Sequence, residues 1–258
     1  MSKGKNKKTV IFLSIVLALA AALLFYVVFW PSIQSEYLSF RARHHNYKVY
    51  GGMTDELKDS NLYTDMQSGK SFCFLGDSIT SGTVSYGIHW YQPLIQYIKG
   101  KVSYLSYPGW ETQSLIDHRD IIIPADVYVI AIGINDALTL GEKSLTPVEF
   151  TDSCSYLANR IKNINPDATI YFIAPWTYLG FDDTRMMRGE QFRKELGRWC
   201  AKTEYRFIDP HPVIMDVFSR EGASKFMYNR FHPKAPEGIE LFSYAVLKAD
   251  HDMKTSKT

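Results

Sequence analysis

Cysteine is scarce in this chain of 258 residues, and three of them, Cys73, Cys154 and Cys200, make an odd count that fits no dense disulfide framework. No C-x-x-C pair occurs to hold zinc. They read as buried packing residues, Cys73 in a strand and the other two on helices, with at most one disulfide among them. An N-x-S/T sequon, the acceptor for N-glycosylation, is absent as well. Internal repeats and low-complexity stretches are missing, which excludes solenoids and compositional linkers. Excess charge of one sign is missing too. Lys3, Lys5, Lys7 and Lys8 account for the formal +2: the 29 basic residues less these four leave 25 against 27 acidic ones. That balance carries no nucleic-acid footprint.

What the chain does have begins with a long apolar run. From Val10 to Trp30 the polar side chains are Ser14 and the interfacial-type Tyr26 and Trp30. A helix of that length spans roughly 30 Å of hydrocarbon, so the run is expected to be a transmembrane anchor. The lysines before it predict a cytoplasmic basic tail over 1–9, with everything after Pro31 outside the cell. Ala18-Leu19-Ala20 resembles a signal-peptidase site, but the apolar run continues through Val27, Val28 and Phe29, so the segment is read as retained. The polar stretch 31–70, with the Arg41 to His45 cluster and the Gly51-Gly52 break, reads as a stalk. A domain over 71–258 follows, and a chain of 258 residues that is 46% hydrophobic has enough for a sizeable core.

Within that domain short apolar runs alternate with longer helical patterns. Strands are expected at Phe72 to Leu75, Val102 to Leu105, Val127 to Ile132, Ile170 to Ala174 and Tyr205 to Ile208. Helices are expected from a capping box at Thr146-Pro-Val-Glu149 towards Ile164, over Thr184 to Lys202, and over Gly238 to Lys248. This alternation predicts βαβ crossovers, hence a parallel sheet with helices on both faces.

Chemistry gathers where these strands end. Phe74-Leu-Gly-Asp-Ser78 puts a serine at the carboxyl end of the first strand, the edge where open α/β sheets bind ligands. Gly76 is expected to allow a sharp turn there. Gly109 in Tyr107-Pro-Gly109-Trp-Glu-Thr112 follows the second strand and Asn135 in Gly133-Ile-Asn135-Asp136 the third, while His232 in Asn229-Arg-Phe-His232-Pro233 precedes the last helix. A serine hydroxyl becomes a nucleophile when an imidazole takes its proton, and His232 is the candidate base. The Ser78 N–H, the Gly109 N–H and the Asn135 amide are candidate donors to an oxyanion. Acyl transfer of this kind calls for no cofactor and no metal. His211 in Asp209-Pro-His-Pro212 is a rival base, read as a loop residue, and His89 and His118 fall in helical patterns as structural histidines. Asp77, Trp110 and Trp176 are candidate substrate contacts, and Tyr178 is a further candidate pocket wall.

The order G-D-S-I, P-G-x-E-T, G-x-N-D and x-x-x-H-P resembles the SGNH hydrolase superfamily, the GDSL esterases, over roughly Ser71 to Lys248. The resemblance implies a flavodoxin-like three-layer α/β/α sandwich, with Ser78 as nucleophile, Gly109 and Asn135 as oxyanion donors and His232 as base. One position departs from the pattern. The family usually has Asp three residues before the histidine, and this chain has Asn229. An Asn carbonyl can hold the imidazole's tautomer but cannot stabilise the imidazolium by charge, unless Asp209 or Asp216 supplies it.

These readings predict a membrane-anchored serine esterase facing the cell exterior. Its substrate would be an acylated carbohydrate of the envelope, in particular an O-acetyl ester. An O-acetyltransferase differs only in the group that attacks the acyl-enzyme, and with one spanning helix it would need a multi-spanning partner to deliver acetyl. A lipase or lysophospholipase, and a non-catalytic carbohydrate-binding module with Asn229 as its sign, are the other readings.

Overall fold

The computed structural model describes residues 32–256, together with 16, 19, 23–25 and 27. The basic tail and most of the expected membrane anchor lie outside these residues. No helix among the described residues is long and apolar enough to cross a membrane. The chain divides into two compact units, Met1–His45 and Asn46–Thr258. In the first, residues 32–44 form helix α1.

The second unit is built on five parallel strands: β1 (Phe72–Gly76), β2 (Val102–Ser106), β3 (Val127–Ala131), β4 (Thr169–Ile173) and β5 (Arg206–Ile208). Their order is β2-β1-β3-β4-β5. Each expected strand is present to within a residue or so at its ends. The flavodoxin-like order reverses direction at β1, which pairs with both β2 and β3, and so opens a ligand crevice at the carboxyl ends of β1 and β3.

The strands read as unbroken apolar runs because the sheet is covered on both faces. Phe72, Phe74, Val127, Val129, Tyr171 and Ile173 point into one core. Cys73, Leu75, Tyr128, Ile130, Ile170 and Phe172 alternate into the other. The second core is closed by α6 (Thr112–Asp117), α8 (Pro147–Ile164) and α9 (Asp183–Cys200), through residues such as Leu115, Leu157 and Phe192. Helix α8 starts where its capping box places it: Glu149 N donates to Thr146 Oγ1 at 3.2 Å, and Thr146 N to Glu149 Oε2 at 2.7 Å. All three cysteines are buried, and none forms a disulfide.

The first core is closed by α10 (His211–Glu221), α11 (Glu237–Thr255) and a layer that the sequence reading assigned to the stalk. From Asn46 onward that segment belongs to the domain. Leu57 of α2 (Asp55–Lys58) and Leu62 and Met66 of α3 (Asn61–Gln67) are buried in the core. Thr54 and Ser60 cap these two short helices, and buried Asp250 of α11 accepts a hydrogen bond from Leu62 N at 2.6 Å. Between 46 and 70, polar residues that suggested a stalk, such as Thr54 and Ser60, are caps of a packed layer.

Candidate active site

Ser78 is the first residue of a single helical turn, α4 (Ser78–Ser81), that follows β1 directly. Gly76 is required there for space rather than for a turn. A Cβ at Gly76 would stand 2.3 Å from Thr80 Oγ1 and 2.5 Å from the Ala131 carbonyl oxygen. Gly82 stops the turn in the left-handed region at φ +70°, where a side chain would meet the Ile88 carbonyl at 2.4 Å. Asp77 caps the turn through Oδ1, which accepts from Ile79 N at 2.9 Å.

His232 reaches Ser78 from the segment before α11. Its Nε2 lies 2.9 Å from Ser78 Oγ, with both residues 7% exposed. The segment is held rigidly: His232 O accepts from Tyr228 N at 2.9 Å, Pro233 O from Ser85 Oγ at 2.7 Å and Arg230 O from Leu179 N at 2.8 Å. Asn229 Oδ1 accepts the backbone N–H of His232 at 2.8 Å and of Phe231 at 3.1 Å, so the amide is fixed beside the ring.

His232 Nδ1 faces both ends of that amide, Oδ1 at 3.2 Å and Nδ2 at 3.1 Å. A ring that donates Nδ1–H to Oδ1 leaves Nε2 free to accept the Ser78 proton. A ring that accepts from Nδ2 carries its proton on Nε2 and is a poor base. Burial pushes the imidazole down to about 4, and no charged group offsets it. The ring is therefore neutral at pH 7, and the cation formed on attack has no carboxylate beside it.

Neither proposed substitute acid reaches this ring. Asp209 accepts from His211 N at 3.0 Å and stands 4.0 Å from Arg193, while Asp216 pairs with Arg220 along α10. His211 itself opens α10 with Nδ1 3.0 Å from Thr177 Oγ1, so it begins a helix instead of lying in a loop. His89 lies in an irregular loop rather than a helix, with Nδ1 2.8 Å from Thr80 O.

Gly109, at φ +76°, is exposed in the β2–α6 loop. Asn135 is the second residue of the neighbouring α7 (Ile134–Leu138), and its Nδ2 donates to the Trp110 carbonyl at 2.9 Å, which leaves one amide N–H uncommitted. Three further bonds, which the sequence does not reveal, fasten the same loop. Thr112 N donates to both oxygens of buried Asp136 at 3.1 Å, and Thr139 Oγ1 donates to Glu111 Oε1 at 2.7 Å. The G-x-N-D motif contained Asp136, but nothing local marked its partner.

The expected substrate contacts divide. Asp77 is fully buried, and burial together with the Asp136 carboxylate pushes its carboxyl up to about 7, so it supports the turn and does not face substrate. Trp176 is 1% exposed and stacks on Phe242 of α11, which makes it core. Tyr178 is likewise buried. Trp110 alone of the three named contacts is partly exposed, stacked on His118 at 4.7 Å. Among the described residues, Glu56, His251 and Asp252 bring possible metal ligands together, but Lys248 already bonds both carboxylates.

A serine bonded to an imidazole at the switch point of a parallel sheet is a nucleophile–base pair. The chain belongs to the GDSL-like lipase/acylhydrolase family, whose profile matches residues 74–236, and pair and family together define a serine hydrolase acting on ester bonds. No curated protein matches it. Among solved structures it is similar to a protein described as a GDSL-like lipase from Parabacteroides merdae, at 20% identity and a TM-score of 0.62, over 72% of this chain and 97% of that one. It is also similar to Axe2, an acetylxylan esterase from Geobacillus stearothermophilus, at 19% identity and a TM-score of 0.58, over 72% and 96%. Replacements of a serine, an aspartate and a histidine in Axe2 are each described as catalytic mutants.

Proposed function

We propose that this protein is an extracytoplasmic esterase that removes O-acyl groups, in particular O-acetyl, from cell-envelope carbohydrate. The observation that carries the reading is the 2.9 Å contact between Ser78 Oγ and His232 Nε2. His232 takes the Ser78 proton as Oγ attacks the ester carbonyl. The oxyanion is met by the N–H groups of Ser78 and Gly109 and by the uncommitted Asn135 N–H. The tetrahedral intermediate collapses, His232 returns its proton to the leaving sugar oxygen, and water attacks the acyl-enzyme by the same route. Asn229 keeps the ring in place. The carbohydrate assignment is supported by the likeness to an acetylxylan esterase, and the outward location by the four lysines ahead of the apolar run from Val10 to Trp30.

Ser78→Ala should abolish turnover of 4-nitrophenyl acetate and all labelling by a fluorophosphonate. Labelling that persists on another residue would remove Ser78 as nucleophile. A protein that binds acetylated glycan yet neither labels nor turns over would be a carbohydrate-binding module instead.

A further inference from the structure

Beside the catalytic residues the same sheet edge carries a second concavity, at the ends of β4 and β5. A cleft of about 330 Å³ lined by Tyr178, Met187, Glu190, Arg193 and His211 runs into another of about 400 Å³ that shares Glu190, Arg193 and His211. Both lie within the usual size of small-molecule sites, roughly 300–1,000 Å³. Helix α9 forms one wall and the β5–α10 turn the other.

We propose that this cleft binds a sugar unit of the substrate chain beyond the acylated one, an inference that rests on the carbohydrate reading above. Its chemistry suits a polyol. The Arg193 side chain is 13% exposed, and its ion-pair partner Asp209 stands 4.0 Å away, beyond hydrogen-bond reach. A guanidinium so placed holds a planar fork of donors that two neighbouring hydroxyl oxygens can accept. Asp183 and Glu190 line the same cleft and offer acceptors for hydroxyl protons, although Glu190 Oε1 already pairs with Lys194 one turn on. Acids and a guanidinium on one wall disfavour an anionic ligand and leave a neutral, hydrogen-bonding one. The neutral His211 ring, pushed down to about 4 by burial, adds no charge, and Met187, 55% exposed, offers apolar contact for the face of a sugar ring.

The cleft is joined to the reacting centre by a row of rings. His232 lies 4.3 Å from Phe231, Phe231 lies 6.2 Å from Phe181, and Phe181 lies 5.6 Å from Tyr178, which lines the cleft. A chain held at Arg193 would therefore be positioned along the loop that carries the base.

The test compares acetylated xylo-oligosaccharide with 4-nitrophenyl acetate, which is too small to reach the cleft. Arg193→Ala should raise KM for the oligosaccharide about tenfold with little change in kcat, since it removes charge-assisted bonds made equally in ground and transition states. Arg193→Lys keeps the charge without the fork and should recover only part of the loss. Both variants should hydrolyse 4-nitrophenyl acetate like the parent, which also shows that they fold. An unchanged KM for the oligosaccharide would overturn the subsite while leaving the carbohydrate reading intact. A parent that cleaves 4-nitrophenyl acetate and ignores the oligosaccharide would overturn the subsite, as would equal losses on both substrates.

Discussion

Asn229 is the residue at which this chain leaves its family's pattern, and the geometry says what that costs. The amide presents an acceptor and a donor to His232 Nδ1 at nearly equal distances, so it does not select the tautomer that accepts the Ser78 proton. A carboxylate would accept only, selecting the productive ring and stabilising its cation. Asn229→Asp should therefore raise the imidazole pKa from about 4, because an opposite charge favours the protonated form. The free base then appears at higher pH, and the acidic limb of kcat/KM should move upward with it. The plateau should rise as well, within the factor of about 10⁴ that loss of a triad acid can cost. Profiles of Asn229→Asp and Asn229→Ala that both match the parent would show that Asn229 does not orient the ring. At this scale the sequence was informative wherever a motif lay on contiguous residues, as with Ser78 and His232. It was silent about Trp176, because a tryptophan after a strand looks the same whether it meets solvent or, as here, Phe242 from a distant helix.

One short helix organises the loop that carries Gly109, a proposed oxyanion donor. From α7, Asn135 holds the Trp110 carbonyl and Asp136 holds Thr112 N, while Thr139, its C-cap, bonds Glu111, so the loop bearing Gly109 cannot move independently of Asn135. Asp136 is 2% exposed, and burial pushes its carboxyl up to about 6. Asp136→Ala leaves Thr112 N without its partner and loosens the loop. Its kcat should fall by about 10², comparable to losing one oxyanion donor, with KM little changed. Asp136→Asn keeps one acceptor and should recover most of that loss. A fall confined to KM would show that the loop positions substrate instead. The strands and long helices were legible because their apolar periods repeat over many residues. Helix α2, with 4 residues, has no period to read, and α10 was hidden because Pro210 and Pro212 look like loop residues, although proline in a first turn suits a helix start.

For the whole molecule, the point where the folded domain begins decides what can be cut away. The alternating pattern that revealed the sandwich begins at β1, and a reading based on that pattern starts the domain there. The folded unit starts at Asn46, because α2 and α3 supply Leu57, Leu62 and Met66 to the core, and Asp250 of α11 is satisfied by Leu62 N. Removing one such side chain typically costs about 2–5 kcal/mol, so removing three consumes most of a stability of about 5–15 kcal/mol. Stripping the layer also leaves the Asp250 carboxylate without its backbone donor. A protease added to intact cells should therefore release an active fragment that begins no later than about Asn46, since the packed segment from 46 to 70 resists cleavage. A recombinant chain beginning at Asn46 should hydrolyse 4-nitrophenyl acetate like the full protein and unfold cooperatively. One beginning at Ser71 should fail to give soluble, active protein. Full activity from the Ser71 chain would show that the layer of α2 and α3 is dispensable. Protection of the enzyme in intact cells would place the domain on the cytoplasmic side and remove envelope carbohydrate as its substrate.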